Sequence, residues 1–283
     1  MYLDQRTKKF LKVFALVAFV FVLAGCTANV DKEGVLLAER AIDETTKWSL
    51  DQGFFDFFLV MPIAKGILLF NNLTGNIAYG VIIMTVLINL LMLPIMVKST
   101  VSTQKMQMIQ PKIERIQNKY RGREDQEAKI KMSNEMQKLY KKHDISMFAS
   151  LTTFLTLPIM IAMWQAAQRL APIYSATFMG LQLGLKPMGE ITSGHYGYLV
   201  IIILVAVTQY LSVEINNIML KRNPRFKPTE QQKQMKQMNI MMVAMIVMFS
   251  LTMSTAMSLY WITTSIITII RTVYIQLYHV EKK

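Results

Sequence analysis

Polar side chains occur inside the long apolar runs of this sequence, and these residues are the first candidates for chemistry. Asn89 lies between Lys65 and Lys98, and Arg271 ends a run that begins after Lys236. An amide exchanges hydrogen bonds and a guanidinium carries a permanent charge, and both are costly to place in hydrocarbon. This cost indicates a functional role for such side chains.

Other polar side chains in the same runs are amides, hydroxyls and one indole. They are Gln165, Gln168, Gln209, Trp261, Thr264 and Thr268. Each is a candidate to contact a bound segment. For the glutamines and threonines the alternative is a hydrogen bond between two helices, which is worth about 0.6 kcal/mol in a membrane. Arg169 ends a run and is expected to anchor the chain at a membrane interface.

Motifs for bond-breaking chemistry are missing from the sequence. It has no Gly-rich phosphate cradle, and His143, His195 and His279 are too scattered to indicate a metal site. We therefore expect no enzyme activity, no metal, no nucleotide and no other cofactor.

The apolar runs exclude a soluble protein. The chain of 283 residues is 53% hydrophobic and 17% charged, and its charges fall in blocks. The runs between these blocks exceed the roughly 20 apolar residues that cross about 30 Å of hydrocarbon. The last run, residues 237–280, would be about 66 Å long as one helix, so it is expected to turn between Ser254 and Ser258. The sequence therefore predicts an all-α polytopic membrane protein with five transmembrane helices.

The predicted segments follow from these runs and from the charges between them. They are a signal peptide (1–25), an extracytoplasmic segment (26–75), spans at 76–97, 145–170, 196–215, 237–256 and 258–279, a helical hairpin (98–144), an outer loop (171–195), a basic loop (216–236) and a tail (280–283). Within the extracytoplasmic segment, residues 53–70 show the pattern of an amphipathic helix that lies in the outer interface.

The net charge of +13 concentrates in the hairpin and the basic loop. Loops rich in Lys and Arg stay on the cytoplasmic side of a membrane, so both are expected there. The N-terminus is then outside and the C-terminus inside. Binding to free nucleic acid is disfavoured because the membrane already explains the charge, whereas contact with ribosomal RNA stays open.

Residues 98–144 carry the spacing of two antiparallel helices. The first stripe, with steps of three and four, consists of Met106, Ile109, Ile113, Ile116 and Tyr120. The turn is Arg121-Gly122-Arg123, and the return stripe consists of Ala128, Met132, Met136, Leu139 and His143. The cations expected to meet cytoplasmic partners are Lys105, Lys112, Arg115, Lys119, Arg121 and Arg123.

The N-terminal residues have the three parts of a secretory signal. A basic region ends at Lys12, an apolar region covers 13–22, and Leu23-Ala24-Gly25-Cys26 stands at the cleavage site. That tetrapeptide resembles a bacterial lipobox, in which the cysteine is lipidated and becomes the mature N-terminus. The alternative is an ordinary signal peptide with an incidental cysteine. Because Cys26 is the only cysteine of the chain, disulfides are excluded.

Five stretches of the sequence share an order and a spacing with one known family. They are TVLINLLMLPIMVKS (85–99), MQMIQPKIERIQNKY (106–120), MQKLYKKHDI (136–145), LPIMIAMW (157–164) and AMSLYWITTSI (256–266). Together they resemble the YidC/Oxa/Alb family of membrane protein insertases, most closely its Gram-positive lipoprotein form.

This resemblance implies a five-helix core around a hydrophilic groove that is open to the cytoplasm and to lipid and closed to the outside. It implies nascent membrane proteins as substrates, inserted with or without the Sec translocon. The ribosome and the signal recognition particle are further implied partners, with membrane lipids and a covalent lipid at Cys26. The implied location is the bacterial plasma membrane.

Two positions depart from the family pattern. Members usually carry an arginine in the first span where this chain has Asn89, and often a glutamine where it has Arg271. Both residues are about 13 residues from the predicted outer ends of their spans, which corresponds to about 20 Å. We hypothesise that the groove charge has moved to Arg271. The alternative is that Arg271 extends to the cytoplasmic headgroups.

Two other functions stay open on the sequence. A small transporter component predicts inverted repeats and charges that face each other across spans, and the sequence has neither. A non-inserting paralogue that acts as a scaffold for a membrane complex is the second. The amide at position 89 is the feature that favours this second alternative.

Overall fold

The computed structural model of the protein describes residues 36–123, 125–145, 151–221 and 229–280. Its helices are α1 (Met61–Thr74), α2 (Ile77–Met108), α3 (Gln110–Lys119), α4 (Gln126–Lys142), α5 (Leu151–Arg169), α6 (Ala171–Ser175), α7 (Pro187–Thr192), α8 (Gly197–Lys221), α9 (Glu230–Thr252) and α10 (Thr255–Ile275). π-helical turns lie at Asp56–Val60 and Gln276–Val280, and 3-10 turns at Ala38–Arg40 and Leu50–Gln52. The strands β1 (Thr177–Phe178) and β2 (Leu181–Gln182) pair antiparallel. The predicted signal peptide and Cys26 lie outside the described residues.

Five helical segments of the described chain are long and apolar enough to cross a membrane, by length and composition alone. They are Asp56–Thr74, Ile77–Met108, Gly197–Met219, Gln232–Thr252 and Thr255–Tyr278. The predicted all-α polytopic class is therefore confirmed. These five segments are not the five predicted spans. Asp56–Thr74, which was predicted to lie in the interface, is among them, and the predicted second span is not. The predicted second span appears as α5, and residues 146–150 before it lie outside the described ranges.

Both ends of the Asp56–Thr74 segment contact the connection that follows α5. Asp56 Oδ2 accepts a hydrogen bond from Arg169 Nη1 at 2.6 Å. Asn76, just beyond α1, donates from Nδ2 to the carbonyl oxygen of Thr177 at 3.1 Å. We call the side of the molecule where residues 169–196 connect α5 to α8 the loop end, and the side of α3 and α4 the hairpin end.

A tight turn folds α1 back onto α2. Gly75 caps α1 with a φ of 74°, in the left-handed region that glycine adopts without strain. Asn76 then begins α2 by accepting a hydrogen bond from Ala78 N at 2.9 Å. The two helices approach so closely that a Cβ atom on Gly80 would lie 2.5 Å from the carbonyl oxygen of Ile67. Small residues at such crossings are the usual way in which membrane helices pack.

The hydrophobic core lies in the halves of the helices nearest the loop end. In α2 the buried residues run from Ile77 to Thr85 and resume only at Ser102. In α10 they are densest over the first seven residues, Thr255 to Trp261. The α5 contribution to this core is Ala162, Met163, Ala166 and Ala167, and Leu170, the residue after α5, adds to it. The helices are therefore closely packed at one end and less so at the other.

The predicted hairpin is present over its described residues, which exclude Glu124. Ile109, Ile113, Tyr120 and Ala128 are buried between its helices, as the spacing predicts. Its first helix does not begin at residue 98, because α2 continues for 32 residues to Met108 before the chain bends. The span and the start of the hairpin are thus one helix.

The connections between spans differ from the prediction in detail. The last turn lies at Met253–Ser254, at the N-terminal edge of the predicted range, so α10 begins three residues before the predicted position 258. The reason is tertiary, because Thr255 N and Ala256 N donate to carbonyl oxygens of residues 185 and 183 and start α10 early.

The two predicted loops also contain regular structure. The predicted outer loop holds α6, α7 and the β1–β2 hairpin. In the basic loop, α8 continues to Lys221, and α9 begins at Glu230 behind a capping box formed by Thr229 and Gln232.

Candidate functional site

A cavity of about 210 Å³ lies between five helices, on the hairpin side of the packed core. We call it the Asn89 cavity. Helices α2, α5, α8, α9 and α10 all contribute to its wall. The lining residues are Ile88, Asn89, Met92, Met96, Thr156, Leu157, Ile159, Met160, Gln209, Ile246, Tyr260, Trp261 and Thr264.

Four of the residues selected from the sequence meet in this cavity. They are Asn89 from α2, Gln209 from α8, and Trp261 and Thr264 from α10. These residues are up to 175 positions apart in the chain, and the antiparallel helices bring them to one level. The cavity therefore joins polar groups that no local pattern connects.

The amides of the cavity are held in different ways. Asn89 Nδ2 donates to the carbonyl oxygen of Thr85, one turn back in its own helix, at 2.9 Å. Gln209 Oε1 accepts a hydrogen bond from the hydroxyl of Ser265, which is buried in α10. Gln209 thus connects α8 to α10 and lines the cavity, whereas Asn89 forms no side-chain hydrogen bond to another helix within the described ranges.

The wall combines neutral polar groups with flexible apolar ones. None of the lining residues carries a charge. Amide, hydroxyl and indole groups exchange hydrogen bonds with a peptide without demanding one charge or one geometry. Met92, Met96 and Met160 adapt to different apolar shapes because the thioether chain is unbranched and polarisable. The cavity is suited to form hydrogen bonds with polar segments of different shapes.

Arg271 lies deeper than the level of the Asn89 cavity and does not line it. Since α10 begins at Thr255, Arg271 is 16 residues, or about 24 Å, from the loop end of its helix, whereas Asn89 is 12 residues, or about 18 Å, from the start of α2. Counted from the first residues of the two helices, the depths expected to be equal differ by about 6 Å. Arg271 Nη2 donates to Thr268 Oγ1 at 3.5 Å, and Arg271 Nε is buried without an acceptor among the described residues.

The remaining predicted positions lie elsewhere. Gln165 is buried on α5 and is not part of the cavity wall. Gln168 lines a different cavity near the loop end. Thr268 accepts the hydrogen bond from Arg271. The structure therefore separates these three residues from the four that meet around Asn89.

Sequence reasoning missed a buried ion pair at the loop end. Arg169 was expected to anchor at the interface, but its side chain is only 3% exposed and bonds Asp56 at 2.6 Å. Its Nε also donates to the carbonyl oxygen of Arg40 at 2.8 Å. One signal was present in the sequence, because an acid and a base in separate apolar segments each need a partner.

The predicted hairpin cations are mostly exposed. Lys112, Arg115, Lys119, Arg121 and Arg123 face solvent, and Lys105, near the end of α2, is half-buried. Two contacts order this surface.

Lys119 Nζ bonds Glu135 Oε1 at 2.5 Å, which raises the pKa of Lys119 and lowers that of Glu135. Lys112 Nζ lies 3.1 Å from His143 Nε2. The hairpin therefore presents an ordered, positively charged surface.

Comparison with known proteins gives one consistent result. A family model described as 60Kd inner membrane protein matches residues 69–282. A Listeria innocua protein named membrane protein insertase YidC 2 is 32% identical over 274 residues, which are 96% of this chain and 84% of that protein. A Streptococcus pyogenes protein named membrane protein insertase YidC 1 is 30% identical over 76% of this chain and 69% of its own. An Enterococcus faecalis protein named membrane protein insertase YidC is 28% identical over 92% of this chain and 82% of its own.

Proposed function

This chain belongs to the 60Kd inner membrane protein family, and we propose that it is a membrane protein insertase that uses the Asn89 cavity to receive the polar part of its substrate. It is a multi-pass bacterial membrane protein. Its relatives are named membrane protein insertases. A cavity wall of hydrogen-bonding groups agrees with that function.

The observation that carries the proposal is the placement of neutral polar groups inside the membrane helices. A polar segment cannot enter hydrocarbon without losing its hydrogen bonds to water, and this loss is the barrier to insertion. Asn89, Gln209 and Thr264 offer hydrogen bonds at about the depth where that loss would be greatest. The packed core would close the path beyond them.

We place the loop end outside the cell and the hairpin end in the cytoplasm. The basic charge of α3 and α4 supports this orientation, because positive loops stay on the cytoplasmic side. We also place Asp56–Thr74 in the outer interface, although its length would permit a span. Both of its ends contact residues 169–177, and those nine residues include the helix α6 and so cover only about 20 Å.

The N-terminal anchor and the partners complete the proposal. Cys26 would carry a covalent lipid after removal of residues 1–25. Nascent membrane proteins are the substrates that the family implies. The exposed cations of the hairpin would meet the ribosome, the signal recognition particle or the Sec translocon, because a positively charged surface attracts the phosphates of RNA and acidic protein surfaces.

Arg271 would supply the positive charge that position 89 lacks. Its Nε atom has no acceptor among the described residues, and it lies about 11 Å beyond Thr264 towards the hairpin end. A charge at this depth would attract an acidic substrate tail at the entrance of the cavity and not inside it. In this proposal the cavity supplies neutral hydrogen-bonding groups, and Arg271 supplies the positive charge closer to the cytoplasm.

Complementation of a cell depleted of its own insertase tests these proposals. Wild type is expected to restore growth and Gln209→Leu to restore it poorly, because leucine removes the amide and leaves Ser265 without its acceptor. Gln237→Leu is the matched control, since Gln237 is exposed on α9. Failure of wild type at normal expression would contradict the insertase function and favour a scaffold.

Two further variants in the same cells test the charge. If Arg271→Gln fails while wild type rescues, Arg271 supplies the groove charge. If Arg271→Gln and Asn89→Arg both rescue like wild type, the insertase function stands and the role of Arg271 is wrong. Rescue by Asn89→Arg alone would show that the natural protein has left general insertion.

A further inference from the structure

A second cavity, of about 250 Å³, lies at the loop end, where α5 meets the loop before α7 and the turn between α9 and α10. We call it the Trp164 cavity. Its wall includes Trp164, Lys186 and Ser254. A space of this size would hold about eight water molecules at roughly 30 Å³ each, or one lipid headgroup. The packed core separates it from the Asn89 cavity.

Two hydrogen-bond donors at this cavity have no acceptor. The indole Nε1 of Trp164 and the hydroxyl of Ser254 are buried and unpaired among the described residues. The indole N–H can only donate a hydrogen bond, so it needs an acceptor from another group. Ser254 precedes α10, but its side chain caps none of the helix amides. Such donors are normally satisfied, and their presence at one cavity indicates a missing acceptor.

One unpaired cation stands at the same cavity. The side chain of Lys186 is exposed, and its ammonium group forms no ion pair or hydrogen bond with the part of the chain that the structure describes. The acid nearest to it in sequence, Glu190, already bonds His195 Nδ1 at 2.8 Å.

The other hydroxyls of the wall already donate to carbonyl oxygens. Tyr174 donates to residue 168, and Thr252 donates within its own helix. An acceptor that carries negative charge would therefore serve Lys186 as well as the two neutral donors.

We propose that the Trp164 cavity binds a phosphate group, supplied by the headgroup of an anionic lipid or by free phosphate. A phosphate has several acceptor oxygens, so one group can pair with Lys186 and receive hydrogen bonds from Ser254 and Trp164 once these two buried groups turn towards the cavity. Much of the wall is apolar, with a tryptophan and a lysine at its edge, and this combination is typical of the lipid–water interface. Assignment to the outer leaflet rests on the proposed orientation, whereas phosphate binding does not.

Native mass spectrometry of the purified full-length chain tests the site. Phosphatidylglycerol is added at rising concentration, and the fraction of protein that carries one lipid is compared with the fraction for phosphatidylcholine. Lys186→Gln is expected to weaken the first phosphatidylglycerol about threefold to tenfold, because it removes one charge-assisted hydrogen bond. Lys47→Gln removes the same charge from an exposed loop residue that does not line the cavity, and it is expected to change nothing.

Ser254→Ala separates binding from a structural role. Loss of one donor is expected to weaken phosphatidylglycerol about twofold to threefold, while the melting temperature stays equal or rises because an unsatisfied buried hydroxyl is gone. Inorganic phosphate added as a competitor distinguishes the sources. Displacement of the lipid shows that free phosphate occupies the site, and failure to displace it assigns the headgroup. Equal effects of Lys186→Gln and Lys47→Gln, with no preference for the anionic lipid, would overturn the proposal.

Discussion

The two ends of the helical bundle are built with different chemistry. At the loop end, a buried ion pair between Asp56 and Arg169 and a bridge between Ile42 and Leu170 hold the segments together. Around the Asn89 cavity the polar side chains are neutral and several apolar ones are methionines. A paired charge in a dry environment favours one geometry, whereas amides and thioethers accept several. The difference indicates one end that is closed and one that receives substrates.

Removal of one partner from the buried ion pair should have the largest effect. Asp56→Ala leaves the buried guanidinium of Arg169 without its carboxylate, and such losses cost roughly 3–5 kcal/mol. The expected result is a marked fall in the thermal unfolding midpoint of the purified protein. The double variant Asp56→Leu/Arg169→Met, which removes both charges, should recover most of it.

An exposed pair at the same end is the control for this effect. Glu190→Gln removes the contact with His195, whose side chain is 67% exposed, and should shift the midpoint very little. If Asp56→Ala were as mild as Glu190→Gln, the ion pair would not hold the loop end closed, and the comparison between the two ends would lose its basis.

Crowding between α1 and α2 should give a smaller effect. A Cβ on Gly80 would lie 2.5 Å from the carbonyl oxygen of Ile67, and the backbone cannot move aside without shifting a helix. We expect Gly80→Ala to destabilise the protein by roughly 1–3 kcal/mol.

The control is Gly66→Ala in the same interface. Its Cβ would meet the Sδ atom of Met84 at 2.6 Å, and that flexible side chain can turn away. Equal unfolding midpoints for the two variants would show that the loop end is less rigid than its contacts indicate.

The hairpin should show the smallest effect, as a weak dependence on pH. Burial, followed by the positive charges of Lys112, Lys142 and Lys105, lowers the pKa of His143 below its usual 6.5. The unfolded chain therefore binds a proton first as the pH falls, so stability is full above about pH 6.5 and is lost as the pH drops through the lowered pKa.

Hydrogen exchange in α4, measured between pH 7 and pH 5, checks this prediction. Protection should decrease in wild type as the pH falls. In His143→Gln it should stay more nearly constant, because glutamine does not titrate in this range. A stronger dependence in the variant would contradict the assignment.

Local features of the molecule could be predicted from the sequence because they depend on spacing. The hairpin seam at Ile109, Ile113 and Tyr120 follows from steps of three and four residues. The apolar runs predicted the all-α polytopic class, since length and hydropathy are enough to identify candidate spans. The cavity residues Gln209 and Trp261 came from family resemblance as well as from their polar type.

Features that depend on distant contacts could not be predicted in the same way. Asp56 and Arg169 are 113 residues apart, and no sequence pattern in either segment identifies the other residue as its partner. The early start of α10 depends on the carbonyl oxygens of Leu183 and Leu185. The sequence therefore predicted too few residues between Arg271 and the start of its helix. The Trp164 cavity likewise forms only where α5, the loop before α7 and the turn between α9 and α10 meet.

Photo-crosslinking of a stalled nascent membrane protein tests the central claim most directly. A photoreactive amino acid is placed either at Met92, which lines the Asn89 cavity, or at the adjacent Leu91, which is 80% exposed on another face of α2. The account predicts that the polar flank of the nascent chain crosslinks from position 92 and only weakly from position 91. Equal crosslinking from both positions, or stronger crosslinking from position 91, would show that the substrate passes along the lipid face and not through the cavity.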